Sequence, residues 1–280
     1  MQKQELVMLA EKAAEIRKLA VEAIYHAKSG HPGGSLSIAD IMSYLYFKEM
    51  KVDAADPKNP DRDRFVLSKG HCCPALYAAL AMKGFFPKED LNTLRHLGSY
   101  LSGHPDMKNV PGVDMSTGSL GQGISAAAGM ALAGKRNGQN YRVFTILGDG
   151  ECQEGQVWEA AMFSAHYKLD NLIAFVDFNH LQIDGDVREV MNPTPLDKKF
   201  EAFGWYVQCI DGHDFRQIEE AVANACKSDK PSAIVCTTVK GKGVSFMENN
   251  HGWHGKAPKT EEYEIAMNEL NKALAEAKEA

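Results

Sequence analysis

Strand-like apolar runs alternate with helical segments over most of the second half of the chain, and this alternation constrains the fold more than any other feature. Buried-strand patterns are predicted at 142–147, 171–178, 205–210 and 232–239. Helices are predicted between them at 154–168, 196–203 and 214–228. Such alternation is typical of a parallel sheet covered by helices on both faces. We therefore expect an α/β fold with a single domain over 1–280, and a ligand site beyond the carboxyl ends of the strands.

The first half of the chain is predicted to consist of helices separated by glycine-rich loops. Ser35 or Ser37 is expected to cap a helix near 38–50, and another helix is expected at 87–97. The other elements predicted are a short strand in "RFVLS" and helices at 3–28, 121–136 and 261–278. The loop at 102–123 is long for a compact domain, and loops of that length are usually functional.

Composition excludes several classes of protein. Hydrophobic residues make up 44% and charged residues 24% of the 280-residue chain, as in ordinary globular enzymes. The net charge is −6 with no basic patch, which argues against nucleic-acid binding. No apolar stretch approaches the roughly 18 residues of a membrane span. The N-terminus also lacks the apolar core of a signal peptide, so we expect a cytoplasmic protein with reduced cysteines.

The stretch "TILGDGECQEG" ends a predicted strand with an acid between two glycines. Asp149 is the only charge at this turn, and Gly150 allows a close backbone approach by a ligand. Two interpretations compete. The turn is an ordinary side-chain-capped turn, or it is an anion and metal site at the end of a parallel strand.

A second polar residue favours the ligand site. The next predicted strand ends at Asn179, thirty residues after Asp149, which is about one βαβ unit. The two side chains are therefore expected at the ends of successive strands. One carboxylate, one amide oxygen and a nearby carbonyl suit Mg²⁺ or Ca²⁺ with phosphate oxygens completing the shell.

At this point the sequence resembles the transketolases, a family of thiamine-diphosphate enzymes. The Gly-Asp-Gly turn followed by Asn179 is the general signature of that cofactor. Six longer blocks narrow the resemblance from thiamine-diphosphate enzymes in general to transketolase. They are "KSGHPGGSLSIADIM", "DRDRFVLSKGHCCPALYA", "GHPDM", "TGSLGQGISAAAGMALA", "GDGECQEGQVWEAA" and "HGWHG". The resemblance runs from about Ala20 to Lys256 and covers only the diphosphate-binding half of a full transketolase. The chain is thus similar to the N-terminal subunit of a split transketolase.

The resemblance implies a role for each matching residue. The metal ligands would be Asp149, Asn179 and the carbonyl of Leu181. The cofactor contacts would be His71, Gly118, Leu120, Gly150, Asn179, Ile183 and His254. The catalytic residues would be His31, His71, His104 and His254 on the substrate side, with Glu154 in a carboxylate network across a subunit boundary. Breaking and forming the bond to a ketol unit needs proton transfers near neutral pH, which suits histidine.

The implied activity is ketol transfer between sugar phosphates, dependent on thiamine diphosphate and Mg²⁺ (or Ca²⁺). The resemblance also implies a pyrimidine-binding partner subunit in a heterotetramer. The Ala- and Gly-rich helix at 121–136 is a candidate surface for self-association. Two alternatives remain: another thiamine-diphosphate enzyme half, such as a deoxyxylulose-phosphate synthase-like protein, or a non-catalytic homologue that binds a partner.

Overall fold

The five main strands form one parallel sheet, in the order β1-β2-β3-β7-β6. The computed structural model describes residues 1–279, and Ala280 lies outside the described residues. The strands of this sheet are β1 (Arg64–Leu67), β2 (Val143–Gly148), β3 (Leu172–Phe178), β6 (Tyr206–Asp211) and β7 (Ser232–Thr237). A short antiparallel hairpin consists of β4 (Leu181–Gln182) and β5 (Gly185–Asp186).

Helices cover both faces of this sheet. The longer helices are α1 (Lys3–Ala27), α4 (Cys73–Lys83), α5 (Gln122–Arg136), α6 (Gly155–His166), α9 (Phe215–Ala225) and α10 (Thr260–Glu279). The shorter ones are α2 (Pro32–Ser37), α3 (Ala39–Tyr44), α7 (Val187–Val190) and α8 (Leu196–Ala202). Two main clusters of buried apolar side chains pack against the sheet. The predicted α/β fold class is therefore confirmed, and the strands are buried because both faces are covered.

The predicted cap near 38–50 is wrong. A short helix, α2, already begins at Pro32 inside the glycine-rich stretch, and α3 ends at Tyr44 before a π-helical turn. Ser35 donates its hydroxyl to the carbonyl of His31, and the Ser37 hydroxyl lies 2.7 Å from Asp177 Oδ2. Both serines therefore make tertiary or within-helix contacts instead of capping α3.

The predicted helix at 87–97 is also shorter than expected. The structure has a 3₁₀ helix at Lys88–Thr93, and the chain then turns irregularly through Arg95, which has a positive φ of 60°. Irregular backbone continues from there to the start of α5, so the long loop predicted at 102–123 is present. Among the described residues no helix is long and apolar enough to cross a membrane.

The small residues of α5 pack against this chain's own sheet. A methyl group at Gly123 would lie 2.5 Å from the Cα of Ser68, which follows β1. A side chain at Gly134 would similarly meet the ring of Tyr141 before β2. The Ala- and Gly-rich composition thus has an intramolecular cause, and self-association through this helix stays a prediction.

Candidate functional site: a cavity at the carboxyl edge of the sheet

Four neighbouring parallel strands each deliver a polar residue to one cavity of about 280 Å³. Lys69 follows β1, Asp149 follows β2, Asn179 follows β3 and Lys240 lies three residues beyond β7. All four side chains line the cavity, and each residue is at most 4% exposed. The strand order explains the convergence, because β7 pairs with β3 and so brings Lys240 beside the end of that strand.

Asp149 is a buried carboxylate that has no cationic hydrogen-bond partner among the described residues. Its two oxygens accept from the backbone N–H groups of Gly150, at 2.7 Å, and His180, at 2.6 Å. Burial, together with the charge of nearby Asp177, raises the pKa of Asp149 to about 7. A cation placed against this carboxylate would favour its ionised form.

Gly150 is predicted to allow a ligand close to its backbone, but its N–H already has a partner in this structure. It is bonded to the side chain of Asp149. A 3₁₀ turn at Gly150–Gln153 also intervenes before α6, which begins only at Gly155. In this structure the turn holds the Asp149 carboxylate in place, which agrees with the interpretation of the motif as a side-chain-capped turn.

The amide of Asn179 is oriented by a buried acid. Its Nδ2 donates to Asp177 Oδ2 at 2.7 Å, and its Oδ1 accepts from the Leu181 N–H at 3.1 Å. The Leu181 carbonyl accepts from Lys240 Nζ at 3.0 Å. The amide oxygen of Asn179 and the carbonyl of Leu181 therefore lie within one turn of chain, and the N–H of His180 between them donates to the Asp149 carboxylate. A carbonyl oxygen keeps a second lone pair when one is used.

Two buried lysines also line the cavity, and sequence reasoning missed both. Lys69 Nζ lies 2.5 Å from Asp177 Oδ2 and also donates to the carbonyl of Gly34. Within residues 1–279 no carboxylate lies within salt-bridge distance of Lys240, and burial together with the charge of Lys69 lowers its pKa. Two lysines and the partly uncompensated Asp149 suit a ligand that carries both anionic oxygens and a cation.

A divalent metal with a diphosphate fits this donor set. Among residues 1–279 no cluster of three or more His, Cys, Asp or Glu could hold a metal, which disfavours a zinc-type site. The oxygens of Asp149, Asn179 and Leu181 instead match the preference of Mg²⁺ or Ca²⁺, with phosphate oxygens filling the remaining positions. The unpaired ammonium of Lys240 would meet the excess negative charge.

Three of the four predicted histidines form a cluster at the cavity. The rings of His31, His71 and His254 lie with centroids 5.1 to 5.5 Å apart. Burial lowers the pKa of His31 to about 4 and that of His254 to about 3, and it holds the pKa of His71 well below its usual value. In the described part of the chain, the Nδ1 atoms of His31 and His254 are buried and have no hydrogen-bond partner. The cluster is therefore neutral near pH 7 and has unused hydrogen-bonding capacity.

The fourth histidine lies apart from these rings. His104 is exposed and packs against Gly118, where an added methyl group would lie 3.1 Å from the imidazole. Gly118 has a φ of 151° and does not line the main cavity. The structure thus pairs these two predicted residues with each other, on the long loop beside the cavity.

The rim of the cavity carries exposed side chains. Leu120 is 38% and Ile183 is 61% exposed, and both line the cavity with Glu154, which is also exposed. Exposed apolar groups at the mouth of a polar cavity are typical of a surface that another molecule covers. All three residues therefore lie at the mouth of the cavity, and their roles at the cofactor's path and at a subunit boundary stay predictions.

A further acid beside the motif is structural. Glu151 is 2% exposed and accepts from the N–H groups of Gly121 and Gly148 at 2.9 and 3.0 Å, and from the Ser68 hydroxyl. It ties the ends of β1 and β2 to the start of α5. No sequence pattern distinguished it from a solvated glutamate.

Comparison with known proteins decides the family. Residues 9–275 match the model described as transketolase, thiamine diphosphate binding domain. The chain belongs to the transketolase family.

Transketolases and transketolase subunits are similar to this chain over most of its length. It is 51% identical over 265 residues to a 6-deoxy-6-sulfo-D-fructose transketolase subunit from a Clostridium strain, covering 94% of this chain and 96% of that protein. It is 44% identical to an apulose-4-phosphate transketolase subunit from Phocaeicola vulgatus, covering 92% of each. A solved structure of a Pichia stipitis transketolase variant has a TM-score of 0.90 at 33% identity, and covers 97% of this chain but 44% of that one. The chain thus corresponds to separate transketolase subunits in length and to under half of the Pichia transketolase chain.

Proposed function

We propose that this chain is the cofactor-binding subunit of a two-chain transketolase, which moves a two-carbon ketol unit from a ketose phosphate to an aldose phosphate. The observation that carries the proposal is the cavity in which Lys69, Asp149, Asn179 and Lys240 converge from four parallel strands. Its oxygen donors and lysines suit a metal-bound diphosphate, and the family's domain is named for thiamine diphosphate.

The residues that would hold the metal are Asp149, Asn179 and the Leu181 carbonyl. Lys240, with His71 and His254, would contact the diphosphate, while Leu120 and Ile183 would line the path of the cofactor's rings. When bound, thiamine diphosphate supplies the carbanion-stabilising chemistry that breaks and remakes the carbon–carbon bond.

The histidines would handle protons. Because His31, His71 and His254 are neutral near pH 7, an unprotonated ring can accept the proton that the donor hydroxyl loses. The resulting imidazolium can return it to the acceptor aldehyde. His104, on the long loop with Gly118, would reach the substrate from the other side of the opening.

A partner subunit would complete the site. Three relatives that this chain covers over more than nine tenths of their length are named as transketolase subunits. Exposed Leu120, Ile183 and Glu154 at the cavity mouth offer the surface that a pyrimidine-binding subunit would cover. A heterotetramer with two sites at subunit boundaries accommodates both the separate partner chain and the exposed cavity mouth. In such an assembly, α5 is a candidate contact between copies of this chain.

The relatives differ in the sugar for which they are named. The relative with 51% identity is named for 6-deoxy-6-sulfo-D-fructose, and the one with 44% identity for apulose 4-phosphate. A donor panel of xylulose 5-phosphate, apulose 4-phosphate and 6-deoxy-6-sulfo-D-fructose separates a phosphate-selective site from a sulfonate-selective one.

Reconstitution tests the proposal. The chain is purified and assayed with thiamine diphosphate, Mg²⁺, ribose 5-phosphate and each donor, with and without the candidate partner from the neighbouring reading frame. We expect turnover only on mixing. Full turnover by the isolated chain would refute the two-chain arrangement.

Two further assays of the same purified proteins, one with pyruvate and glyceraldehyde 3-phosphate and one of thermal stability, distinguish the two alternatives. Condensation of pyruvate with glyceraldehyde 3-phosphate, in place of ketol transfer, would indicate a deoxyxylulose-phosphate synthase-like enzyme. Absence of thermal stabilisation by thiamine diphosphate and Mg²⁺ would indicate a non-catalytic homologue.

A further inference from the structure

A chain of hydrogen bonds leads from the helical layer to the backbone next to Lys240. Arg17 in α1 pairs with Asp40 in α3 through both guanidinium Nη atoms. Asp40 Oδ2 lies 2.6 Å from Nδ1 of His213, and His213 Nε2 accepts from the backbone N–H of Val239 at 2.9 Å. Arg17 and Asp40 are 8% and 6% exposed. The Arg17–Asp40 end of this chain of bonds is therefore buried, whereas the His213 side chain at its other end is 15% exposed.

The partners determine the state of the imidazole. Although burial would raise its pKa, the charge of Arg17 and the bond to His213 hold the pKa of Asp40 below its usual value, so Asp40 is an ionised acceptor. The Val239 N–H can only donate. His213 must therefore carry its proton on Nδ1 and accept at Nε2, as a neutral tautomer fixed from both sides.

Close packing brings this imidazole to the end of β7. Gly212 donates its N–H to the Thr237 carbonyl at 2.9 Å. A methyl group at Gly212 would lie 2.5 Å from Thr238 Cγ2, so only glycine allows this approach. The next residue, His213, thereby reaches Val239.

The segment anchored in this way carries the unpaired cavity lysine. Beyond Val239, the carbonyl of Lys240 accepts from Asn249 at 2.9 Å, and Gly241 donates to the carbonyl of Gly33 at 2.9 Å. These backbone bonds hold the far side of Lys240, whereas His213 holds the near side through a side chain. The Lys240 side chain then runs into the cavity as far as the Leu181 carbonyl.

We propose that His213 is a positioning residue, whose Nε2 acceptor holds Val239 so that the Lys240 ammonium reaches the cavity. The inference rests on the proposed function in one respect, that Lys240 meets a diphosphate. His213 itself does not line the cavity. Its effect must therefore pass through the backbone of Val239 and Lys240.

Two substitutions separate the acceptor from the rest of the imidazole. His213→Gln can place an amide oxygen where Nε2 accepts, whereas His213→Asn can keep a donor toward Asp40 but has no atom that reaches Val239. Amide hydrogen exchange of the full chain over residues 236–242 measures the contact without any ligand. We expect faster exchange in His213→Asn and near-native exchange in His213→Gln.

Binding of thiamine diphosphate with Mg²⁺, measured by calorimetry, tests the consequence. We expect His213→Asn to bind the cofactor about tenfold more weakly, which is the low end of the affinity loss seen when an orienting partner is removed. The affinity of His213→Gln should stay within about twofold of the wild type. In a Lys240→Met background the further effect of His213→Asn should vanish, because a residue that acts only through Lys240 has nothing left to position.

The outcomes distinguish the two levels of the account. If His213→Asn and His213→Gln showed the same hydrogen exchange and the same cofactor affinity, the positioning role would be overturned. The same conclusion would follow if both variants lost their fold to the same extent. An undiminished His213→Asn effect in the Lys240→Met background would also overturn it, because His213 would then be merely structural. If the wild-type chain failed to bind the cofactor even with its partner, the proposed function would fail, while hydrogen exchange would still decide the role of His213.

Discussion

The buried ion pair between Lys69 and Asp177 gives the sharpest stability prediction. Lys69 Nζ and Asp177 Oδ2 are 2.5 Å apart, and the two side chains are 2% and 0% exposed. Asp177 also accepts from the Ser37 hydroxyl and Asn179 Nδ2, each at 2.7 Å, and from the Thr238 hydroxyl. Removing one charge leaves the other buried and unpaired, which costs about 3–5 kcal/mol. We expect Lys69→Met and Asp177→Asn each to lower the free energy of unfolding by about that amount.

The double variant distinguishes pairing from two separate losses. Additive effects would total roughly 6–10 kcal/mol, which is as large as the whole stability of many domains. Because Lys69→Met/Asp177→Asn leaves no unpaired charge, we expect it to lose no more free energy of unfolding than either single variant loses. Urea unfolding followed by circular dichroism provides the three values, and simple additivity would refute the argument.

An exposed pair of the same residue types is the matched control. Lys135 Nζ and Asp170 Oδ1 are 2.8 Å apart, but their side chains are 34% and 44% exposed. Water screens this pair, so Lys135→Met should cost no more than about 1 kcal/mol. A similar cost at both sites would show that burial does not set the strength of the Lys69 pair.

Two further predictions concern the histidines. Because burial lowers the pKa of His31 from 6.5 to about 4, the unfolded chain takes up this proton first, and the stabilisation present above about pH 6.5 is lost as the pH falls toward 4. His31→Asn should therefore lose less free energy of unfolding than the wild type between about pH 7.5 and about pH 5, and parallel curves would contradict the low pKa. His254→Ala should weaken binding of thiamine diphosphate as well as slow turnover, since His254 lines the cavity, whereas His104→Ala should slow turnover only. Wild-type kinetics in both variants would remove these histidines from the site.

Much of the fold could be predicted because buried parallel strands read as continuous apolar runs. The strands at 142–147 and 171–178 correspond to β2 and β3, shifted by a residue at one end or both. The helix at Pro32–Ser37 could not be predicted, because its glycines are favoured by tertiary packing and not by helix propensity. A side chain at Gly34 would meet Cys72 Sγ at 2.6 Å, a contact that no local pattern reveals.

The candidate site was only partly predictable for a related reason. Asp149 and Asn179 could be found because each follows a strand and the strands are successive in sequence. Lys240 could not, because β7 lies next to β3 through a crossover, and an isolated lysine near a strand end resembles a solvated charge. His213 likewise lacked any motif, since its importance depends on Asp40, which is distant in sequence.

Calorimetric titration of thiamine diphosphate and Mg²⁺ into the wild type and Asp149→Ala, each with the partner subunit, tests the central claim most directly. Asp149 is the buried carboxylate of the proposed metal site, and its removal should cost several kcal/mol of metal and diphosphate stabilisation. We expect the variant to stay folded, with an unchanged circular dichroism spectrum, and to lose Mg²⁺-dependent binding of the cofactor. Unchanged affinity of Asp149→Ala for thiamine diphosphate and Mg²⁺ would contradict the assignment of this cavity as the cofactor site.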